Sequence, residues 1–262
     1  MSEDRLFVLI RVPKSGSTTL DKMVVGAFPE NRFFPAPETH RTAHADVTPY
    51  ERFRHWRRRW RFIHKHTGAL TEQGMWRVFA ERAKHNDTIT GHIRYGEPQL
   101  PGFRLDYITL LRDPRDRALS SYNYDRQGYL KRPAWRRAYS GGQLKASGKS
   151  FLDYLHYLAD QGRSSTLPAV EFVMGDAWRG GNAGEDPFAF LKERYFHWGV
   201  LDRLDVFADQ LSQKIGREVA PDWKNRTGRR ERTELSAEEK RMLEQVFAAD
   251  LELYEKAREA VG

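Results

Sequence analysis

Residues 6–10 (LFVLI), followed at once by RVPKSGSTTL, constrain the fold more than any other stretch of the chain. Five consecutive apolar residues of strand length suit a parallel strand covered on both faces. Beyond the loop, Leu20, Met23, Val24 and Ala27 recur at helical spacing. The same order returns later: residues 105–111 (LDYITLL) read as a strand, 112–117 as a turn with Pro114, and 118–124 as the restart of a helical pattern. Two strand, loop and helix units predict an α/β fold with a central, mainly parallel sheet flanked by helices.

The remaining segments extend that plan. Residues 50–85 are rich in Arg, Trp and Phe and read as helical, while 140–150 (SGGQLKASGKS) and 175–186 (GDAWRGGNAGED) read as loops by composition. A short strand is expected to end near Val200, followed by an amphipathic helix carrying Leu204, Phe207, Ala208 and Leu211. A helical stretch at 235–260 opens with Ser236 and Glu239 in capping-box spacing, and Leu243, Val246, Phe247, Leu251 and Tyr254 form its apolar stripe. There is no internal repeat. The expectation is one domain over 1–262, with helical or loop insertions at about 45–85 and 126–190.

Composition narrows the chemistry. With no cysteine, disulfides, thiolate metal sites and cysteine nucleophiles are excluded, and a reducing compartment fits. The start MSEDRLFVLIRVPK lacks the basic opening and long apolar run of a signal peptide, and no run reaches transmembrane length. A cytoplasmic, soluble protein is expected. Lys and Arg number 44 against 36 Asp and Glu, a formal net charge of +8, so anions of several kinds are attracted. Arginines crowd into ERFRHWRRRWRF and RQGYLKRPAWRRAY, interleaved with Phe53, Trp56, Trp60 and Trp135.

The loop after the first strand combines Gly16, which permits a tight turn, with the hydroxyls of Ser15, Ser17, Thr18 and Thr19 beside the unpaired amides of a helix start. With Lys14 and the helix dipole these make a site for a tetrahedral anion, or else only a turn with a capped helix. An ordinary NTPase loop is a poor match, because the lysine here precedes the glycine. In LLRDPRDRALSSYNY, Arg112 and Ser120 stand eight residues apart, so a helix beginning near Pro114 aims both at one anion. A structural Arg112–Asp113 ion pair is the alternative.

RVPKSGSTTL, TGHIRYG and LLRDPRDRALSSYNY, in this order and spacing, resemble the glycan sulfotransferases of the heparan sulfate 2-O-sulfotransferase and uronyl 2-O-sulfotransferase type. The resemblance covers the first 25 residues, roughly 87–125, and more faintly 195 onward. It implies a P-loop-like single domain using 3′-phosphoadenosine 5′-phosphosulfate (PAPS) as donor, with adenosine 3′,5′-bisphosphate (PAP) as product and no metal. Under it, Lys14, Ser15, Gly16, Ser17, Thr18 and Thr19 grip the 5′-phosphosulfate, and Arg112 and Ser120 grip the 3′-phosphate. His92 falls at the catalytic base, with Lys14 stabilising the leaving phosphate. Arg11 and Arg94 fall near the acceptor, and Arg226, Arg229 and Arg230 lie in a basic loop that closes over the nucleotide in related enzymes. The implied acceptor is a carbohydrate hydroxyl, with the arginine and tryptophan clusters suited to an acidic glycan, and nucleic acid is not expected as a partner. The competing readings are a kinase using ATP and a non-catalytic basic binder of glycan or nucleic acid.

Overall fold

A computed structural model describes residues 4–37, 49–160, 168–178, 184–221 and 234–262. In chain order it contains β1 (Asp4–Ile10), α1 (Ser17–Ala27), β2 (Phe33–Pro35), α2 (Pro49–Thr67), α3 (Glu72–Arg82), β3 (Thr88–Gly91), β4 (Phe103–Leu111) and α4 (Pro114–Leu130). There follow α5 (Ala134–Ala138), α6 (Gly142–Ser147), α7 (Phe151–Asp160), α8 (Ala169–Met174), α9 (Pro187–Arg194), β5 (His197–Val200), α10 (Leu204–Ile215), α11 (Ala237–Val246) and α12 (Ala248–Val261).

The five strands form one sheet in the order β2-β3-β1-β4-β5, with every neighbouring pair parallel. The continuous apolar run of β1 follows from that position at the centre. Leu6, Val8 and Ile10 bury on one face with Met75, Phe79 and Phe172, while Phe7 and Leu9 bury on the other with Leu20, Met23 and Phe207. A third apolar cluster, containing Tyr122, Tyr154, Leu243 and Phe247, joins α4, α7, α11 and α12 beside the sheet. Among the described residues no helix is long and apolar enough to cross a membrane.

This order has a functional consequence. After β1 the chain fills the β3 side of the sheet, and only with β4 does it cross to the other side. The carboxyl end of β1 is therefore a topological switch point, where the loops leaving neighbouring strands diverge and open a crevice.

Several local expectations need correction. The segment 140–150 is not all loop, because Gly142–Ser147 forms α6 and buries Ala146 and Ser147. The turn expected over 112–117 is shorter: Asp113 accepts a hydrogen bond from the Arg115 amide and Pro114 takes the first helical turn, so α4 starts there. The stretch 235–260 is two helices meeting at Phe247, which leaves helical geometry with φ −117°. Of the loop at 175–186, residues 175–177 form one 3₁₀ turn.

Candidate functional site

The parallel register assembles the site. Ile10 pairs with Gly91 of β3 on one side and Thr109 of β4 on the other. Residues just past the three strand ends therefore emerge along one edge, with Arg11 in the middle, His92 to one side and Arg112 to the other. The Arg11 amide donates to Gly91 O at 3.0 Å, and Thr109 Oγ1 donates to Ile10 O at 3.0 Å, so the three ends are tied together. Neighbouring strands lie about 4.8 Å apart, which puts the flanking loops on the order of 10 Å from each other.

The loop from Val12 to Gly16 turns sharply. The Ser15 amide donates to Val12 O at 3.2 Å, and both Lys14 (φ 64°) and Gly16 (φ 76°) take left-handed backbone. A Cβ on residue 16 would also meet Leu201 Cδ1 at 2.7 Å, so glycine is required there by conformation and by space. Gly16 caps α1 without a side-chain hydrogen bond, and its carbonyl accepts from the Thr19 and Leu20 amides. Ahead of these two, the Ser17 and Thr18 amides open the helix at the end of the loop. Ser17 is half-buried, Thr18 exposed and Thr19 buried. Ser15 is fully buried, and its Oγ has no hydrogen-bond partner among the described residues.

Arg112 and Lys14 are in contact. Arg112 Nη1 donates to Lys14 O at 3.1 Å, so the loop after β4 holds the loop after β1 in place. Burial pushes the Arg112 pKa down, with Asp116 and Asp113 acting in the opposite sense. Ser120 lies in the second turn of α4 and is half-buried. One turn further, Tyr124 presents its ring to Lys14 Nζ, 3.4 Å from the ring centroid. Lys14 thus meets α4 through its ammonium and Arg112 through its carbonyl.

On the other side of β1, His92 Nδ1 lies 2.6 Å from Arg11 O. A carbonyl oxygen can only accept, so Nδ1 carries the proton and Nε2 is the basic nitrogen of the neutral ring. The preceding Gly91 allows the chain after β2 to close in, because a Cβ there would sit 2.8 Å from Ala36 O. The Arg11 guanidinium pairs with Asp21 of α1 at 3.1 Å, and Thr90 Oγ1 donates to the same carboxylate at 2.5 Å. Burial raises the Asp21 pKa, while Thr90 and Arg11 oppose the rise.

No family model matches the chain, and no curated protein matches it. Among solved structures, the crystal structure of a sulfotransferase from Alicyclobacillus acidocaldarius is similar, at 15% sequence identity and a TM-score of 0.46 over 95% of this chain and 94% of that one.

The structure brings Lys14, Ser15, Gly16, Ser17, Thr19 and Arg112 into one locality and puts His92 and Arg11 beside it. Arg94 is differently engaged: Glu97 holds its Nε at 2.8 Å, and Glu171 and Asp176 lie 3.6 and 3.7 Å from Nη1. These carboxylates bind the loop after β3 to α8 and the turn that follows. Arg226, Arg229 and Arg230 lie outside the described residues. Two contributors escaped the sequence reading. Tyr124 could have been found, since it stands four residues after Ser120 on the same helical face. Asp21 had no signal, because its role depends on pairing between β1 and β3. Among the described residues no group of three or more His, Asp or Glu could hold a metal ion.

Proposed function

We propose that the protein is a sulfotransferase that moves the sulfuryl group of PAPS to a carbohydrate hydroxyl, leaving PAP. The observation that carries this reading is the Arg112–Lys14 contact, which joins the loop after β1 to the loop after β4. Two anion sites then share one crevice. One is the α1 start with Lys14 and Ser15; the other is Arg112 with the Ser120 face of α4. A ligand with two separated anionic groups fits this donor set, and the buried Ser15 hydroxyl lacking a partner among the described residues fits it too.

When bound, PAPS supplies the sulfuryl group and a phosphate that departs with the electron pair of the broken S–O bond. His92 Nε2 takes the proton of the attacking hydroxyl, while its Nδ1–H stays on Arg11 O. Lys14 and the first amides of α1 stabilise negative charge at the departing oxygen. Arg112 and Ser120 hold the nucleotide, which makes the reaction one of placement and charge stabilisation. Arg11, paired to Asp21, and Arg94, among its carboxylates, border the acceptor side of His92 and define that edge of the crevice. The basic loop carrying Arg226, Arg229 and Arg230 is proposed to cover the nucleotide. Support for an anionic carbohydrate comes from α2, which exposes Phe53, Trp56 and Trp60 beside the exposed Arg57, Arg58 and Arg61.

Calorimetry tests the reading. The protein should bind adenosine 3′,5′-bisphosphate in preference to ATP, and Lys14→Ala and Arg112→Ala should each weaken binding by about tenfold or more, as loss of a charge-assisted hydrogen bond implies. Preference for ATP would favour a kinase. Binding that falls with salt but ignores both substitutions would favour a non-catalytic basic binder.

A further inference from the structure

Tyr124 closes the stretch LLRDPRDRALSSYNY without a role in it, and the residue is 56% exposed, so burial does not explain why it is aromatic. Its face nevertheless receives Lys14 Nζ at 3.4 Å from the centroid. Lys14 is unusual at its other end as well: its backbone is left-handed at φ 64°, and its carbonyl accepts from Arg112 Nη1 at 3.1 Å. The β4–α4 unit therefore holds both ends of this residue. Arg112 fixes the carbonyl ahead of the helix, and Tyr124 fixes the ammonium three turns along it.

The chemical nature of the holder matters. A carboxylate in this place would anchor the ammonium equally well, but it would cancel the charge and repel an incoming anion. An aromatic face attracts the cation through its quadrupole and adds no net charge, so this contact does not itself weaken the pull of the ammonium on a phosphate or phosphosulfate. The hydroxyl of Ser120, one helical turn before Tyr124, lies on the same face of α4. We propose that Tyr124 is a positioning residue that holds Lys14 by its ring face over the Ser120 side of α4, and so sets the strength of anion binding in the crevice. This inference rests on the proposed nucleotide site for its consequence and on the Lys14–Tyr124 geometry for its cause, and the two are tested separately.

The first arm requires no ligand. In protein whose lysines carry ¹³C-methyl groups, Lys14 should show a ring-current shift that survives Tyr124→Phe and disappears in Tyr124→Leu, which keeps an apolar side chain without a π-face. The second arm is titration with adenosine 3′,5′-bisphosphate. Tyr124→Leu should weaken binding about two- to fivefold, the range for an exposed cation–π pair, and Tyr124→Phe should restore it. In a Lys14→Met background the Leu substitution should have no further effect. The proposal is overturned if the Lys14 shift persists in Tyr124→Leu, if that variant binds as tightly as the parent, or if it weakens binding equally with Lys14 absent. If the parent binds no adenosine 3′,5′-bisphosphate, the nucleotide reading falls and with it the anion-binding role of Tyr124; the ring-current arm then reports only whether the pair exists.

Discussion

The base role proposed for His92 draws on its backbone contact to Arg11 O. Because Arg11 O can only accept, the hydrogen bond at 2.6 Å assigns the ring proton to Nδ1 and leaves Nε2 to take a proton. His92→Gln keeps a side chain able to donate to Arg11 O but cannot serve as a base near neutral pH. Turnover in a sulfate-transfer assay should drop about 10²- to 10⁴-fold, with adenosine 3′,5′-bisphosphate affinity within about twofold of the parent. A variant that transfers sulfate at the parental rate would remove His92 from the mechanism. At this scale the sequence was informative where chemistry is local. Lys14, Ser15 and Gly16 are contiguous, and Arg112 and Ser120 share one helix start. The Asp21 contact to Arg11 and Thr90 was invisible, since it exists only once β1 and β3 pair. Arg94 was legible as a cation and not as the centre of an acidic network, because Glu171 and Asp176 come from more than 70 residues away in sequence.

Elements were legible in proportion to their burial on both faces. β1 and β4 announce themselves as apolar runs, and the Ser236–Glu239 capping box is present as the spacing predicts. β2 is three residues, FFP, at the sheet edge, and so short a strand carries no periodicity to read. α6 was hidden because glycine and serine dominate its surroundings, whereas its helix is imposed by packing beneath α4 and α7. The β5–α10 unit makes a pH prediction. His197 is buried in β5, and its Nε2–H donates to Phe207 O at 2.9 Å. Burial lowers its pKa from 6.5 to about 4, with nearby Lys214 acting in the same direction and the Phe207 carbonyl opposing. Between those two values the unfolded chain takes up a proton that the folded chain refuses. Stability is therefore lost as pH falls from 6.5 towards 4, by up to on the order of 3 kcal/mol, and the loss levels off below that. Urea midpoints measured across this window should fall less steeply for His197→Gln than for the parent. Parallel curves for the two proteins would show that His197 does not carry the effect.

A buried ionic junction ties distant parts of the fold together. Arg117 and Asp250 are each 1% exposed and form an ion pair between α4 and α12. Asp250 also accepts from the Ala169 and Val170 amides at 2.9 and 3.1 Å, which brings the start of α8 to the same carboxylate. Three helices, the outer two joined across 133 residues of sequence, thus meet at two side chains. Arg117 stands in the first turns of α4, between Arg112 and Ser120, so this junction also sets the direction in which the Ser120 and Tyr124 face points. Breaking a buried ion pair by removing one partner costs about 3–5 kcal/mol, and Asp250→Ala additionally strips two amides of their acceptor. Asp250→Ala should therefore lower the urea midpoint sharply and weaken adenosine 3′,5′-bisphosphate binding, although residue 250 touches none of the proposed ligand contacts. Replacing both partners together, as in Arg117→Met with Asp250→Leu, removes both buried charges and should recover a large part of the stability lost in the single variant. A loss below about 1 kcal/mol in Asp250→Ala would mean that apolar packing of Tyr122, Tyr154 and Phe247, not the ion pair, orients α4 against the sheet.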